Sequence, residues 1–243
     1  MQAGRSTSRD LARIAHKTRY STTSNPEHIR RDLRALLRET AQPVAVVTSL
    51  MPQAPSEPPS DTTHYSRFHG ATLSSFSSIA LDPHPLVAFS LRVPSRMATS
   101  LKDAHAAPPV PSHMVVNILS AAQAAIAVRF SRPDLHPHPF AHTPYTLTSE
   151  GLPAITGALG ALSCRLVAAS WPLHDIEMLD SKNRREGARS WQGDGVASEL
   201  FIAQVTRVES LGASDEEDST RTSPLLYYRR RYATTRDLET PGH

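Results

Sequence analysis

Between Arg92 and Thr99 the sequence places two guanidinium groups, Arg92 and Arg96, and two hydroxyls, Ser95 and Thr99, within eight residues. Arg92 to Ser95 reads as a turn and Met97 to Ala104 as a short helix, so these side chains gather around one helix start. A cation, hydroxyls and free N–H groups in such a turn are what a bound phosphate requires. Upstream, Thr72-Leu73-Ser74-Ser75-Phe76 offers small side chains, several donors and one aromatic. That set suits a planar ring that is apolar on its faces and polar along one edge. Each residue also has a plainer reading. Ser and Thr in strands form cross-strand pairs, Phe76 is by default a core aromatic, and Arg96 is a solvated charge.

Other constellations carry less chemistry. His136, His138 and His142 are interrupted by prolines and lack a paired acid, so a flexible polar loop is preferred to a metal site. Cys164 is the single cysteine, which excludes an intrachain disulfide and a Cys-based zinc cluster. Its apolar neighbours predict a buried, inert thiol. There is no GxSxG, P-loop or GxGxxG motif. Gly157-Ala158-Leu159-Gly160 lacks the third glycine and the helix pattern of a dinucleotide fingerprint. No residue is singled out as catalytic.

The net charge of +3 is unevenly spread. Arg5, Arg9, Arg13, Lys17 and Arg19 stand against Asp10 alone in the first 25 residues, which leaves the remainder slightly negative. The main domain therefore lacks the basic footprint of a nucleic-acid binder. No apolar run is long enough for a membrane-spanning helix. As a helix, residues 1–24 put Arg9, Arg13 and Lys17 on one face and Leu11, Ile14 and Ala15 on the other. Arg- and Ser-rich, acid-poor and amphipathic, the segment predicts a mitochondrial transit peptide, with a disordered basic tail as the alternative. Arg19-Tyr20-Ser21 resembles a mitochondrial processing site.

The elements that must position the candidate residues read as short strands. Asn25-Pro26-Glu27 starts a helix with the stripe Ile29, Leu33, Leu36 and Leu37, which Pro43 stops. Strands are expected at 44–50, 71–76, 86–91, 115–119, 159–169, 200–210 and 225–228, the last closing the fold. Ser120 caps a helix running to Phe130, with Gln123 at the capping-box position. Residues 51–66 hold four prolines and read as an enlarged hairpin connection. Residues 131–150 are a loop, 174–196 a surface insertion, and 212–223 an acidic loop. The domain spans 25–235 and the tail 236–243 is frayed. Strands never alternate with helices as βαβ, so an antiparallel barrel is expected, mainly β and of Greek-key type with a few flanking helices.

In order and spacing, a series of these segments resembles the flavin reductase-like family. The pieces are Ala71 to Pro83, Leu86 to Leu91, Ser95-Arg-Met-Ala-Thr99, Val115-Val-Asn-Ile-Leu119 and Arg129-Phe130, then Gly151 to Leu159, Leu200 to Val205 and Pro224 to Tyr232. The likeness covers roughly residues 30–233. It implies an FMN-binding split β-barrel, with the Ser-Ser-Phe strand beside the isoalloxazine ring and the Ser95 to Thr99 turn at the phosphate. It further implies that Phe130 packs against the flavin or a partner subunit, and that Arg231 and Tyr232 close the pocket. The cofactor implied is FMN, with FAD as the alternative and NAD(P)H as co-substrate. The assembly implied is a homodimer, passing electrons to free flavin or another small-molecule acceptor.

The chain departs from the family pattern where chemistry is concerned. Many members carry Asp-His before the strand that starts here at Leu200; the matching residues are Ala197 and Ser198. Gln204 replaces an acid near that strand's end, and Tyr228 stands where a histidine is common. His174-Asp175 is a candidate spatial substitute. Hydride transfer needs stacking and orientation more than a proton donor, so the reductase reading stands. A non-catalytic FMN-binding carrier is the alternative, and pyridoxamine-phosphate oxidase-like chemistry is a third reading.

Overall fold

The computed structural model describes residues 25–51, 67–179, 197–209 and 219–236. The basic segment 1–24, most of the two insertions, most of the acidic loop and the tail beyond 236 lie outside the described residues. The chain divides into two compact units, one up to Leu37 and one from Arg38 onwards.

Helix α1 (Pro26–Arg38) begins as expected, with Asn25 Oδ1 accepting the N–H of Glu27 at 3.0 Å. Ile29, Leu33, Leu36 and Leu37 are all exposed, Leu36 by 65%. The helix ends at Arg38, well before Pro43, which lies instead in a two-residue strand, β1 (Gln42–Pro43).

In the second unit follow β2 (Ala45–Leu50), β3 (Phe68–Leu73), β4 (Ser77–Ala80), β5 (Leu86–Val93), α2 (Arg96–Ala106) and β6 (Met114–Ile118). Next come α3 (Ala124–Ser131), β7 (Tyr145–Leu147), β8 (Pro153–Ile155), β9 (Gly160–Pro172), α4 (Ile176–Leu179) and β10 (Ala197–Glu209). The last are α5 (Ser219–Thr222), β11 (Leu226–Tyr228) and β12 (Arg231–Ala233). Seven strands form one antiparallel sheet in the order β3-β2-β6-β9-β10-β5-β4.

That order forces the sheet to curl. β3 and β4 are consecutive in the chain yet occupy opposite edges. In a flat sheet those edges would stand about 29 Å apart, six spacings of roughly 4.8 Å. Only Ser74, Ser75 and Phe76 connect them, and the four Cα steps from Leu73 to Ser77 reach at most about 15 Å. The sheet therefore rolls until its edges nearly meet, leaving a seam between β3 and β5 that no ladder closes. Ser75 bridges it: its Oγ accepts the Ser90 N–H at 2.9 Å and donates to the Ser90 carbonyl at 3.1 Å.

Strand alternation fills two main cores, beside a smaller cluster of Val115, Leu152, Ala154 and Ala161. Ala45 and Val47 of β2 point into the barrel with Leu73, Phe89, Met114, Val116, Leu166 and Phe201. Phe89 and Phe201 stack there with centroids 5.6 Å apart. Met97 and Leu101 of α2 belong to the same cluster, so α2 plugs the barrel. Val44 and Val46 face outward, against Phe130 of α3, Phe68 and Phe140.

Several sequence expectations are corrected. The expected strand 71–76 ends at Leu73, because three residues must turn the chain across the seam. Arg92 is not in a turn; it lies in β5, which runs to Val93. The loop 131–150 contains β7, which pairs with β8. Leu225 to Tyr228 does not close the fold, since β12 folds back on β11. The capping box expected before Phe130 is present: Gln123 Oε1 accepts the Ser120 N–H at 3.2 Å, and the Ser120 hydroxyl, which faces the Gln123 backbone, also donates to Gly157 O. The hairpin reading of 51–66 fits the antiparallel pairing of β2 with β3, whose ends meet where Met51 N–H donates to Arg67 O at 2.8 Å.

The β7–β8 connection is tied to β10 by charge. Arg207 binds Glu150 through two N–H groups, at 3.1 and 2.8 Å, and Glu209 through Nε at 2.8 Å. Hydrogen bonding to Arg207 holds the Glu150 carboxyl down to about 2. A depressed carboxylate adds stability above its unfolded value of about 4.5 and loses it as pH falls towards about 2. Melting temperature should therefore drop through this window, and drop less steeply in Glu150→Gln. Identical slopes would mean that solvent already screens the cluster.

Candidate functional site

The seam opens into a cavity of about 750 Å³. One wall is β3, which pairs only with β2 and turns its other edge, from His69 to Leu73, towards the cavity. An edge strand presents unpaired N–H and C=O groups. The N–H groups of Ser74 and Ser75 lie beyond the β3 ladder and ahead of β4. Opposite stand Ser90, Leu91 and Arg92 of β5, then Pro94, Ser95, Arg96 and Met97 at the start of α2. Phe130, Tyr227 and Tyr232 close the apolar end, with the tyrosine rings edge to face at 5.7 Å. Burial is the main cause that raises the Tyr232 phenol above its usual range.

Helix α2 is capped by Ser95, whose Oγ accepts the Ala98 N–H at 3.1 Å. The first intrahelical bond runs from Thr99 N–H to Ser95 O, so the N–H groups of Arg96 and Met97 precede it. Two guanidinium groups line the cavity, and among the described residues no carboxylate does. Such lining favours an anion.

Of the residues expected at the site, Thr72, Leu73, Ser74, Ser75, Arg92, Ser95, Arg96, Phe130 and Tyr232 line this cavity. Phe76, Thr99 and Arg231 do not. Phe76 packs against the barrel core. Thr99 faces a neighbouring pocket of about 460 Å³ that shares Ser95 and Arg96, and its hydroxyl donates to Ser95 O. Arg231 is exposed on β12. Two expected donors are already engaged: Thr72 Oγ1 donates to Ala127 O at 2.7 Å, and Ser75 bridges to Ser90.

Sequence reasoning missed His69, Gly70, Ser90, Met97 and Tyr227. Gly70 carried a readable signal, since glycine inside a strand marks a close approach. A Cβ there would stand 2.5 Å from two carbons of the Phe130 ring. His69 is pushed down to about 4 by burial and, secondarily, by Arg96. It is therefore neutral at physiological pH.

The departures from the family pattern fall at defined places. Ser198 lines the cavity and pairs with Arg92 across the β10–β5 ladder. Gln204 lies at the other end of that ladder, opposite Leu86, and accepts from Arg165 at 3.1 Å. His174, Asp175 and Tyr228 are not among the lining residues. Cys164 is fully buried, and burial pushes its thiol up to about 12, as expected of an inert core cysteine.

The β11–β12 hairpin that delivers the tyrosines turns on Arg229 and Arg230, both at positive φ, 49° and 63°. Asn-Gly is the usual solution to this turn. Arg229 is held by Glu39, with Nε at 2.7 Å and its N–H on Arg38 O at 3.1 Å. Among the described residues, Arg230 makes no such contact. Arg230→Gly should raise stability by about 1 kcal/mol, or ~2–4 °C in melting temperature. A lower melting temperature would show that the Arg230 side chain contributes more than its backbone costs.

A family model described as flavin reductase like domain matches residues 37–236. The FMN reductase (NADH) SmoA of Agrobacterium fabrum is 31% identical over 139 residues, 57% of this chain and 66% of that protein. The chain thus spans slightly under two thirds of that curated relative. The styrene monooxygenase flavin reductase SMOB from Pseudomonas putida S12 superposes with a TM-score of 0.55 at 24% identity, covering 85% of this chain and 99% of that one. A nitrilotriacetate monooxygenase component B homolog from Mycobacterium thermoresistibile gives 0.57 at 22%, covering 88% and 92%. These two likenesses are of fold. With the family model running from the end of α1 past β12, the chain belongs to the flavin reductase like domain family.

Proposed function

We propose that this chain is a flavin-dependent oxidoreductase that binds FMN in the seam cavity and uses NAD(P)H as electron donor. The observation that carries the reading is the cavity lining: two guanidinium groups at a helix start, an unpaired strand edge and an apolar aromatic end. Those features fit the three parts of an FMN molecule, its phosphate, its polar ring edge and its ring faces. Arg92, Arg96 and the first N–H groups of α2 would hold the phosphate. The β3 edge and the N–H groups of Ser74 and Ser75 would orient the ring edge. Phe130, Tyr227 and Tyr232 would exclude water from its faces. When bound, the flavin supplies a two-electron acceptor for hydride from the reduced nicotinamide.

The test is the visible absorbance of the purified full chain before and after anaerobic NADH. A flavin band that bleaches supports the reading. If none copurifies, FMN and FAD are titrated in turn, and failure of both to bind overturns it.

Ser198 at the cavity, where the family pattern has histidine, favours a second reading: an FMN carrier without nicotinamide chemistry. A band that persists with NADH supports it. Under the carrier reading, Ser198→His should raise NADH oxidation by about tenfold or more. Exposed Ser74, Ser75, Arg92 and Arg96 leave the cavity open on one side, which a second copy of the chain would cover. A homodimer is part of the proposal, tested by light scattering. The basic residues 1–24 support mitochondrial targeting, and deleting them should abolish import. The electron acceptor is free flavin or another small molecule.

A further inference from the structure

The cavity holds one titratable group that neither the expected site nor the proposed mechanism uses. His69 opens the lining edge of β3, at the end where Arg96 begins α2. The other charged or titratable side chains lining the cavity are Arg92 of β5, Arg96 of α2, Tyr227 of β11 and Tyr232 of β12. Among the described residues no carboxylate is there to balance a further cation beside Arg92 and Arg96. The imidazole is half-buried, and across the β2–β3 ladder it stands opposite Ser49, whose hydroxyl donates to His113 O at 2.9 Å.

We propose that His69 is the proton-coupled part of the anion site: when a phosphate monoester binds at Arg96, His69 takes up one proton from solvent and joins the two guanidinium groups as a further cationic donor to it. The assignment deepens the flavin reading by giving that phosphate a partner that a phosphate-free flavin does not engage. Without the anion, a charged imidazole would share a half-buried cavity with two guanidinium groups, and both burial and repulsion oppose it. A phosphate reverses both terms. It neutralises the guanidinium charge and offers acceptor oxygens to an imidazolium N–H. By linkage, whatever raises the histidine's proton affinity on binding also tightens binding as pH falls through the bound-state value. FMN then binds with proton uptake and riboflavin without it.

The experiment follows the histidine signals of the full chain, carrying ¹³C-labelled histidine, by NMR between about pH 5 and 8, the range in which an unperturbed imidazole titrates. The His69 signal is assigned by its loss in His69→Gln, or in His69→Asn if the first variant does not fold. Samples are free, with riboflavin, with FMN and with inorganic phosphate. The expected result is a neutral-form signal across the range when free or with riboflavin. With FMN and with inorganic phosphate, a titration midpoint should enter the range, a rise of at least about one pH unit. A signal that stays neutral with FMN bound overturns the proposal and leaves the flavin reading standing. If FMN does not bind but inorganic phosphate moves the midpoint, the flavin reading fails and the proton-coupled anion site stands. If neither moves it, the proposal is overturned.

Discussion

Arg96→Ala should weaken FMN binding by about 10- to 100-fold while leaving riboflavin within about threefold. A hydrogen bond to a charged group contributes about 1.5–3 kcal/mol, and tenfold corresponds to about 1.4 kcal/mol. Arg96 is exposed, so water competes and the loss belongs near the lower end. Screening provides a second readout. Wild-type FMN affinity should fall with added salt more steeply than that of the variant. Fluorescence titration of both flavins at two salt concentrations measures all four quantities. Equal losses for FMN and riboflavin would show that Arg96 supports the ring pocket and not the phosphate.

Gly70→Val should destabilise the fold by about 3 kcal/mol or more and abolish flavin retention. Overpacking a core ordinarily costs about 1–3 kcal/mol. Here the first added carbon already lies 2.5 Å from the Phe130 ring, and valine adds two methyls. The ring has little room to retreat, being 4% exposed and packed edge to face on Phe140 at 5.0 Å. Moving it would disturb the apolar end of the cavity directly. Gly70→Ala should show a smaller effect, partly relieved by Phe130→Leu because the two positions share one contact. Urea unfolding of the single and double variants decides this. Strict additivity would remove the close approach as the cause.

Much of the barrel was legible as short β-rich runs bounded by turn residues. Val44 to Val47 is apolar throughout, which suits a strand buried on both faces, with Ala45 and Val47 in the barrel and Val46 in the outer core. The start of α2 was legible from Ser95, which caps it as its side-chain chemistry dictates. The site was legible in its anion end and less so in its ring end. Ser74, Ser75 and Phe76 read as a strand because their composition suits one; they cross the seam because of strand order, which emerges only from pairing between distant segments. His69 escaped notice for the same reason. Nothing in its neighbours says that β3 is an edge strand facing Arg96. β12 was lost because Arg229 and Arg230 do not announce a tight turn as Asn-Gly would.

The sheet order also dictates what is exposed while the chain is being made. β9 and β10 occupy the middle of the sheet, yet they span residues 160–209, late in the chain. Until they emerge, β3-β2-β6 and β5-β4 can form only as separate flaps. The flank of β6 that receives β9 and the flank of β5 that receives β10 stay open on the nascent chain. Those are unpaired, apolar strand edges of the kind that recruit other chains. The inner strands Val115 to Ile118 and Val87 to Leu91 are thus the segments most in need of a holding chaperone during synthesis, and a ribosome stalled before β9 would present both.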